Sequence, residues 1–476
     1  MKAMKKSLIM RGMVLLHYGI SVALFVGCWW LFYRDFADGS AFEAANISVY
    51  AFYAVSLLML SRIYSAYRVG LLHVGDLIYG QMLSNLISMA LTYVLACVLA
   101  QKPINPLAGL VYAAIQALIS AGWTILTNRL YFSLHKPKRT VVIYRDENDL
   151  RKLEEIRFFA ERWSVERTVQ WDEENVHDLP YAQETPAAWS YKDIQKLIQI
   201  MEDYEAVFVS GVSATLRNGI VKYCVEKNKA CYFVPHTGDV IISGAEHIRS
   251  FSVPICRARR SKPAPEYLLV KRAMDIVLSL LMLIVTSPFI AIAALAIWSY
   301  DHGPVFYKQV RLTKDGRPFE ILKLRSMIVD AEKGGARLAG EHDDRITPVG
   351  RIIRAIRFDE LPQLFNILKG DMSIVGPRPE RPEIAEQYRK ELPAFDLRLQ
   401  VKAGLTGYAQ VYGRYNTEPQ DKLKMDLMYI NHASIAEDVK LIFATVRILL
   451  MKESTQGVEQ GQTTAEKTEK TIEKSA

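Results

Sequence analysis

Five long runs without a charged residue constrain this chain more than any other feature of its sequence. Four of them follow one another near the start: Gly12–Tyr33, Ala44–Ser61, Leu77–Gln101 and Pro103–Asn128. Each reaches the roughly 18–20 residues that a helix needs to cross the hydrocarbon layer. A soluble fold rarely buries four such helices in succession, so we predict a bundle of four membrane spans. No small-residue cleavage site follows the first run, and we expect it to be retained.

Basic residues between the runs predict which loops face the cytoplasm. They are concentrated before the first run, between the second and third, and after the fourth: Lys2, Lys5, Lys6 and Arg11; Arg62 and Arg68; Arg129, Lys136, Lys138 and Arg139. The other two loops carry less positive charge. Both ends of the bundle should therefore lie on the cytoplasmic side.

The fifth run, Ile276–Tyr300, can be read in two ways because Ser287-Pro288 interrupts it. Proline bends or breaks a helix, and a nearby serine hydroxyl can satisfy backbone groups that the proline frees. An ordinary kinked span would put everything after Asp301 outside the cell. A broken helix could instead enter and leave through one leaflet. The run by itself favours the kinked span.

Residues 136–262 read as a soluble α/β domain of the Rossmann kind. Short β-rich runs and one amphipathic helix carry this prediction: strands at Thr140–Tyr144, Ala206–Val209 and Ala230–Val234, and a helix at Ala214–Lys227. The first strand lacks the glycine-rich turn that binds a pyrophosphate. We therefore favour a structural or regulatory role over nucleotide binding. The basic segment Arg257–Lys262 is interpreted as a linker on the membrane surface.

Composition narrows the function classes only modestly. The net charge of +8 suits phosphorylated substrates, lipid headgroups or nucleic acid, without choosing among them. The five cysteines form neither a CxxC pair nor a metal-ligand spacing, which is typical of reduced thiols in a cytosolic domain.

Charged residues after the fifth run cluster in a pattern that suits phosphate chemistry. Thr347-Pro348 predicts a helix start, after which Arg351, Arg354 and Arg357 should share one face. Ile352, Ile353 and Ile356 should lie on the opposite, core side. Guanidinium groups so close together favour a bound anion, and phosphate matches their planar fork.

The arginine helix leads directly into two adjacent carboxylates, Asp359 and Glu360. One could attack phosphorus and the other could hold Mg²⁺. An acidic first turn of a surface helix is the alternative. Further on, Arg378 is held between two prolines, and Gly404–Gly413 forms a glycine-bearing loop with two tyrosines.

Together these stretches resemble the catalytic domain of the monotopic polyprenyl-phosphate sugar-1-phosphate transferases, the bacterial sugar transferases. The matching stretches lie between residues 266 and 451: KRAMDIVLSL…SP (271–288), GPVFYKQVR (303–311), LKLRSM (322–327), RITPVGRIIR (345–354), DELPQLFNILKGDMSIVGPRP (359–379) and KAGLTGYAQVYGR (402–414). With the preceding spans and α/β domain, the chain looks like the large subgroup, which includes undecaprenyl-phosphate galactose and glucose phosphotransferases.

The resemblance implies roles for individual residues. Asp359 would be the nucleophile and Glu360 would support Mg²⁺. Arg354 and Arg378 would match two arginines of the family. Lys323, Arg325 and Arg351 are further candidates for phosphate or substrate contacts in this chain. The family's helix breaks at Ser-Pro and re-enters the cytoplasmic leaflet, which here is Ser287-Pro288 and reverses the preference for a crossing. The chain departs from the common pattern at Leu324, Arg357-Phe358 and Tyr408-Ala409, so the sugar is not carried over.

The resulting expectation has four parts. We predict a four-span α-helical membrane bundle (1–135), a Rossmann-like α/β domain (136–262), an α-rich monotopic catalytic domain with a re-entrant helix (263–451) and a disordered tail (452–476). The reaction would move a sugar 1-phosphate from a UDP-sugar to polyprenyl phosphate, releasing UMP, on the cytoplasmic face of a bacterial inner or plasma membrane. Expected partners are those two substrates, the membrane and other polysaccharide-assembly proteins, with a homodimer left open and no nucleic acid. A glycosyltransferase releasing UDP and an inactive membrane scaffold are the rival functions.

Overall fold

The chain divides into two compact units, residues 1–234 and 235–476. The computed structural model describes residues 2–35, 42–153, 162–171, 197–248, 255–329, 331, 343–413 and 417–449. The predicted disordered tail and Arg414 lie outside these described residues.

Four long helices open the first unit: α1 (Lys2–Phe32), α2 (Phe42–Ile63), α3 (Val74–Ala100) and α4 (Leu107–Leu134). All four are long and apolar enough to cross a membrane by length and composition. Polar side chains meet between them. The Tyr53 hydroxyl donates to Asn85 Oδ1 at 2.6 Å, and Gln116 Nε2 donates to Ser21 Oγ at 2.6 Å. Such interhelical hydrogen bonds help hold helices together where lipid supplies no hydrophobic drive.

The rest of the first unit is a four-stranded, fully parallel sheet in the order β2-β1-β3-β4. Its elements are β1 (Lys138–Tyr144), α5 (Glu147–Lys152), β2 (Trp163–Gln170), β3 (Ala206–Ser210), α6 (Ala214–Glu226) and β4 (Ala230–Phe233). Three strands and α6 match the sequence prediction closely. The prediction missed β2, an edge strand whose half-exposed, polar sequence lacks a buried apolar run.

A carboxylate lies at the carboxyl ends of β1 and β3, where the strand order of this sheet reverses. Open α/β sheets bind ligands at such a switch point. Here Ser210 Oγ donates to Asp149 Oδ1 at 3.3 Å, and a Cβ at Gly211 would meet Asp149 Oδ2 at 1.7 Å. A carboxylate in this position repels a phosphate ligand by its like charge.

The second unit mixes helices with short strands. Its elements are α7 (Thr237–Ser243), β5 (Glu246–Ile248), β6 (Ile255–Arg257), α8 (Pro265–Asp301), β7 (Phe306–Leu312), β8 (Pro318–Leu324), α9 (Pro348–Ala355), α10 (Gln363–Lys369), β9 (Met372–Val375), α11 (Pro382–Glu391), β10 (Ala403–Thr406), α12 (Tyr408–Val411), α13 (Pro419–Asn431) and α14 (Ile435–Leu449). The β7–β8 hairpin is antiparallel, and β9 pairs with β10 in parallel. Leu364 and Ile367 of α10, Met372 of β9 and Leu423 of α13 form the centre of its core.

Residues 235–262 belong to this second unit, whereas the sequence analysis grouped them with the α/β domain. Val240 of α7 is buried in the core of the second unit, and Asn431 Nδ2 donates to its carbonyl at 2.6 Å. The basic linker is also docked on protein, since Arg260 pairs with Asp315 at 2.8 Å and Ser261 N donates to Gln400 Oε1. The hydrophobic and hydrogen-bonding contacts of this segment, which sequence patterning does not show, explain the difference.

Helix α8 continues across Pro288, where the sequence analysis expected a break. Proline has no backbone N–H, so it cannot donate to the carbonyl four residues earlier. That carbonyl belongs to Ile284, and it accepts from Ser287 Oγ at 3.0 Å. The serine hydroxyl thus supplies a donor where the proline removes one, as the sequence predicted.

Candidate active site

The short helix α9 brings the arginine segment against α8. Thr347 caps it, with Oγ1 accepting from Gly350 N at 2.9 Å, and Pro348 occupies the first turn. Ile353 is buried against Ala293 and Ile297 of α8.

The predicted core face of α9 was correct only at Ile353. Ile352 and Ile356 are 68% and 56% exposed. Val349 and Ile353, four residues apart, form the stripe that packs inward, so the other isoleucine pair points away from it.

The chain reverses sharply after α9, and this turn presents the two carboxylates. Arg357 adopts the left-handed conformation with φ of 53°, and a 3₁₀ turn follows over Phe358–Glu360. Phe358 packs with the α8 cluster, and its ring contacts Phe289 at a centroid distance of 6.5 Å. Arg357 therefore leaves the helix, which corrects the prediction that three arginines share one helical face.

Glu360 is held by two cations from different elements. Lys323 Nζ of β8 lies 2.9 Å from Glu360 Oε1, and Arg378 Nη2 lies 3.1 Å from the same oxygen. Burial by itself would raise the pKa of the Glu360 carboxyl. The charges of Lys323 and Arg378 outweigh burial and hold this pKa well below its usual value.

The pKa of Asp359 is shifted in the opposite direction to that of Glu360, although Lys323 and Arg378 are near both carboxyls. Burial raises the pKa of the Asp359 carboxyl, and the negative charge of Glu360 adds to the increase. Lys323, Arg354 and Arg378 oppose this rise without cancelling it. The pKa values of the two adjacent carboxyls are therefore shifted in opposite directions. Glu360 stays ionised, and Asp359 is the stronger base.

The structure brings some of the predicted phosphate contacts together and leaves others apart. Lys323, Arg354 and Arg378 surround the carboxylates. Arg325 instead pairs through both terminal nitrogens with Asp301 at the end of α8. Arg351 is exposed on α9. The Ser287-Pro288 pair lies within α8.

Two further basic residues lie near the site: Arg357, which the sequence analysis placed on the arginine face expected to bind phosphate, and Arg311, which it did not name. The Arg357 charge acts on both carboxylates once the left-handed turn has redirected it. Arg311 of β7 is partly buried near Arg378, and burial with that neighbouring charge lowers the Arg311 pKa to about 10. Alternation on β7 puts Tyr307, Gln309 and Arg311 on one face, a signal that could have identified this arginine.

The donor set for a metal is small. Among the described residues, no group of three or more His, Cys, Asp or Glu could hold an ion. Asp359 and Glu360 provide adjacent carboxylates, and Mg²⁺ is commonly bound by one or two carboxylates together with substrate phosphates. The residues present therefore fit Mg²⁺ bound jointly with a phosphorylated substrate.

A partly buried carboxylate pair lies among lysine and arginine side chains, and Phe358 beside it packs against the long apolar helix α8. Residues 266–452 match the family model described as bacterial sugar transferase. A putative undecaprenyl-phosphate N-acetylgalactosaminyl 1-phosphate transferase of Bacillus subtilis is 49% identical over 152 residues, which are 32% of this chain and 85% of that protein. The chain belongs to the bacterial sugar transferase family.

Two longer relatives match over the same region. A UDP-N-acetylgalactosamine-undecaprenyl-phosphate N-acetylgalactosaminephosphotransferase of Aeromonas hydrophila is 41% identical over 40% of this chain and 45% of its own length. A UDP-glucose:undecaprenyl-phosphate glucose-1-phosphate transferase of Escherichia coli is 43% identical over 37% of this chain and 39% of its own length. The matched region thus spans less than half of each of these two proteins.

Proposed function

We propose that this protein transfers a sugar 1-phosphate from a UDP-sugar to polyprenyl phosphate, releasing UMP and starting exopolysaccharide, capsule or O-antigen synthesis. The observation that carries the proposal is that one cationic site holds two adjacent carboxyls with opposite pKa shifts, raised for Asp359 and lowered for Glu360. Their region of the chain is also the part that matches relatives named for undecaprenyl-phosphate sugar phosphotransfer.

The reaction has two displacements at one phosphorus. Asp359 attacks the β-phosphorus of the UDP-sugar, and the bond from that phosphorus to the bridging oxygen breaks, so UMP leaves. An oxygen of polyprenyl phosphate then attacks the sugar-phosphoryl aspartate. The aspartyl oxygen leaves, which restores Asp359 and gives a polyprenyl diphosphate sugar. The raised pKa of Asp359 makes its carboxylate the better nucleophile of the two.

Basic side chains stabilise the charge that spreads over the transferring phosphoryl group. Lys323 and Arg378 contact Glu360 and so lie beside the nucleophile. Arg354 adds a third positive charge near Asp359. Glu360 holds these cations in place. Glu360 and Asp359 would also hold Mg²⁺, which when bound neutralises the diphosphate.

The contacts of α8 support a helix that re-enters the cytoplasmic leaflet. Near its start, Arg272 donates to the Ile367 and Leu368 carbonyls at 2.6 and 2.7 Å. At its end, Asp301 pairs with Arg325. A straight helix between these ends would measure roughly 43 Å, more than the hydrocarbon thickness.

The groups that hold the two ends of α8 are themselves close together. Asn366, next to Ile367, accepts from Leu322 N through Oδ1 at 2.9 Å. Leu322 is three residues from Arg325 on the same extended segment. One folded body thus contacts both ends of the helix, which a domain confined to one side of the membrane can do only if the helix bends.

Exposed apolar side chains near the carboxylates fit a site that meets lipid. Ile352 of α9 and Ile356, which directly follows that helix, are exposed, and Phe289 of α8 is also exposed. The helix α9 packs on α8 through Ile353, so these exposed side chains and the apolar surface of α8 belong to neighbouring elements. A polyprenyl phosphate lying along this surface would bring its phosphate to the turn that carries Asp359.

The sugar stays open within this proposal. The named relatives use N-acetylgalactosamine or glucose donors according to their names, although they match the same region. A panel of UDP-sugars with polyprenyl phosphate, scored for UMP and UDP separately, identifies the donor. UDP in place of UMP would favour the glycosyltransferase alternative.

Asp359→Asn provides the sharpest test of the mechanism. This change keeps size but removes the nucleophilic charge, so lipid product and UMP release should both disappear, including UMP release without acceptor. The unsubstituted protein given UDP-sugar alone should gain one sugar-phosphate mass on a peptide containing Asp359. Near-normal turnover by the variant, or the mass on another residue, would contradict double displacement.

A further inference from the structure

The loop that presents Arg378 is fixed through its backbone to an unusual degree. Each of four successive carbonyls accepts a hydrogen bond from outside the loop: Pro377 from Gly404 N at 2.9 Å, Arg378 from Arg398 Nη2 at 2.9 Å, Pro379 from Arg311 Nη1 at 3.1 Å and Glu380 from Leu312 N at 3.0 Å. The two prolines further restrict the backbone because their rings fix φ.

Arg398 is the most buried side chain among these donors. It is 3% exposed, and its Nε and Nη2 both lie 2.8 Å from Asp426 Oδ2. Asp426 is 1% exposed, and Glu380 lies 3.5 Å from Arg398 Nη1. A planar guanidinium with a carboxylate on one edge and a carbonyl on the other has a fixed orientation.

The side chain of Arg378 needs such an anchor. It is long, 42% exposed, and contacts Glu360 at 3.1 Å. Holding an arginine side chain in one rotamer costs conformational entropy, and a mobile backbone would add to that cost. A fixed carbonyl and fixed φ angles leave only the side-chain torsions to be ordered.

We propose that Arg398 is a positioning residue for the transfer reaction: it holds the Arg378 carbonyl, and Asp426 holds Arg398, so that the Arg378 guanidinium stays on Glu360. The role assigned to the reaction rests on the proposed function. Arg398 acts through Arg378 and does not itself touch the reacting atoms.

The test is a double-mutant cycle in the full-length protein. Arg398→Gln should lower kcat/KM for the UDP-sugar about tenfold in the otherwise unchanged protein, and less than twofold when Arg378→Ala is already present. A radiolabelled donor allows the slow variants to be measured. Equal losses in both backgrounds would overturn the proposal, because they would show that Arg398 acts independently of Arg378.

Arg389→Gln is the matched control. Arg389 pairs with Asp396 and Glu386, and the loop carbonyls from Pro377 to Glu380 accept their hydrogen bonds from other residues. It should change kcat/KM less than twofold. If Arg398→Gln does not fold, Asp426→Asn replaces it in the same cycle. Asparagine keeps the volume of Asp426 and loses the charge that orients Arg398. We therefore expect the loss of kcat/KM to be smaller when Arg378→Ala is already present. Equal losses in both backgrounds would overturn the proposal.

A second measurement separates this proposal from the proposed function. The melting temperatures of the same four proteins should be non-additive, because truncating Arg378 removes less when its anchor is already lost. Additive shifts would overturn the positioning role even in an inactive protein. Absence of UMP release from the unsubstituted protein would contradict the proposed function and leave the melting cycle interpretable.

Discussion

Asp359 and Glu360 are neighbours in sequence, yet the structure gives them opposite electrostatic environments. Two cations contact Glu360 directly, whereas Asp359 is partly buried and has no comparable contact among the hydrogen bonds of the described residues. One carboxylate therefore organises the site and the other is left reactive. A carboxylate left without a direct cation contact lowers the stability of the folded protein, a cost that active sites commonly carry.

The two carboxylates should have opposite effects on thermal stability. Because the Asp359 pKa is raised on folding, its stabilising contribution is present in acid and lost as pH rises through the raised value. At pH 8, Asp359→Asn should therefore melt higher than the unsubstituted protein, by several degrees, and the gap should close toward the ordinary aspartate pKa of about 3.9.

Glu360→Gln should shift the melting temperature the other way. The Glu360 pKa is lowered on folding, so its contribution is present above the unfolded value of about 4.3 and lost as pH falls below it. At pH 8 the glutamine leaves Lys323 and Arg378 without their carboxylate, so this variant should melt lower than the unsubstituted protein. Differential scanning fluorimetry without nucleotide measures both variants, and shifts of the same sign would contradict the assignment.

The pH dependence of transfer should report Asp359. The nucleophilic form is lost as pH falls through the raised Asp359 pKa, so the acid limb of kcat/KM should lie above the ordinary aspartate value of about 3.9. Glu360→Gln removes the neighbouring negative charge and should move this limb to lower pH. Glu386→Gln, at an exposed position, is the control and should not move the acid limb of kcat/KM. A limb that does not move with Glu360→Gln would assign the titration to another group.

Sequence reasoning predicted the carboxylates, Lys323, Arg354 and Arg378 as site residues because each lies in a stretch with a family resemblance, and the structure places them near one another. It could not foresee that Arg357 turns out of its helix, since a left-handed φ at a non-glycine residue leaves no clear local signal. Nor could it find Arg398, whose role depends on a carbonyl 20 residues earlier. Contacts across the fold decide these positions.

Among the elements, α8 shows most directly how one residue pair sets a local geometry. Ser287 bonds the Ile284 carbonyl in the place where Pro288 cannot. The helix thus tolerates a proline inside an apolar segment without an unsatisfied carbonyl, which would be costly in lipid. The element was predictable from composition, whereas its continuity through the proline was not.

Cysteine labelling should locate the domain that follows α8. In a variant without the five native cysteines, Glu391→Cys, an exposed position on α11, should react only with reagent supplied from the cytoplasmic side. Adding Pro288→Ala restores a backbone donor for Ile284 and should shift part of the population toward a straight crossing, with new labelling from outside. If the Glu391→Cys protein with Pro288 intact were labelled only from outside, the re-entrant arrangement would be contradicted. Unchanged labelling and activity in Pro288→Ala would show that Pro288 does not make the bend.

At the scale of the whole molecule, the apolar runs and the β-rich runs predicted the order of the parts, but not where one unit ends and the next begins. The sequence analysis assigned residues 235–262 to the α/β domain and read only Arg257–Lys262 as a linker. Their role is set by partners such as Asp315, Gln400 and Asn431, which lie far away in sequence. Such long-range pairings cannot be read from local patterning.

Two truncations of different length should reveal this boundary. A fragment beginning at Pro235 keeps α7 and the docked linker, and it should remain folded in detergent and retain transfer activity. A fragment beginning at Ala264 keeps every proposed catalytic residue but loses Val240 from the core, and burying a valine side chain stabilises by about 1.5–3 kcal/mol.

The shorter fragment also loses the Asn431, Gln400 and Asp315 contacts, so it should melt lower than the longer one and lose activity on warming first. Within the longer fragment, Val240→Ala should reproduce part of the loss, whereas Ile242→Ala, an exposed position on the same helix, should not. Thermal melts and UMP release at a series of temperatures measure the difference. Equal stability of the two fragments would contradict the boundary, because it would mean that residues 235–263 contribute nothing to the catalytic unit.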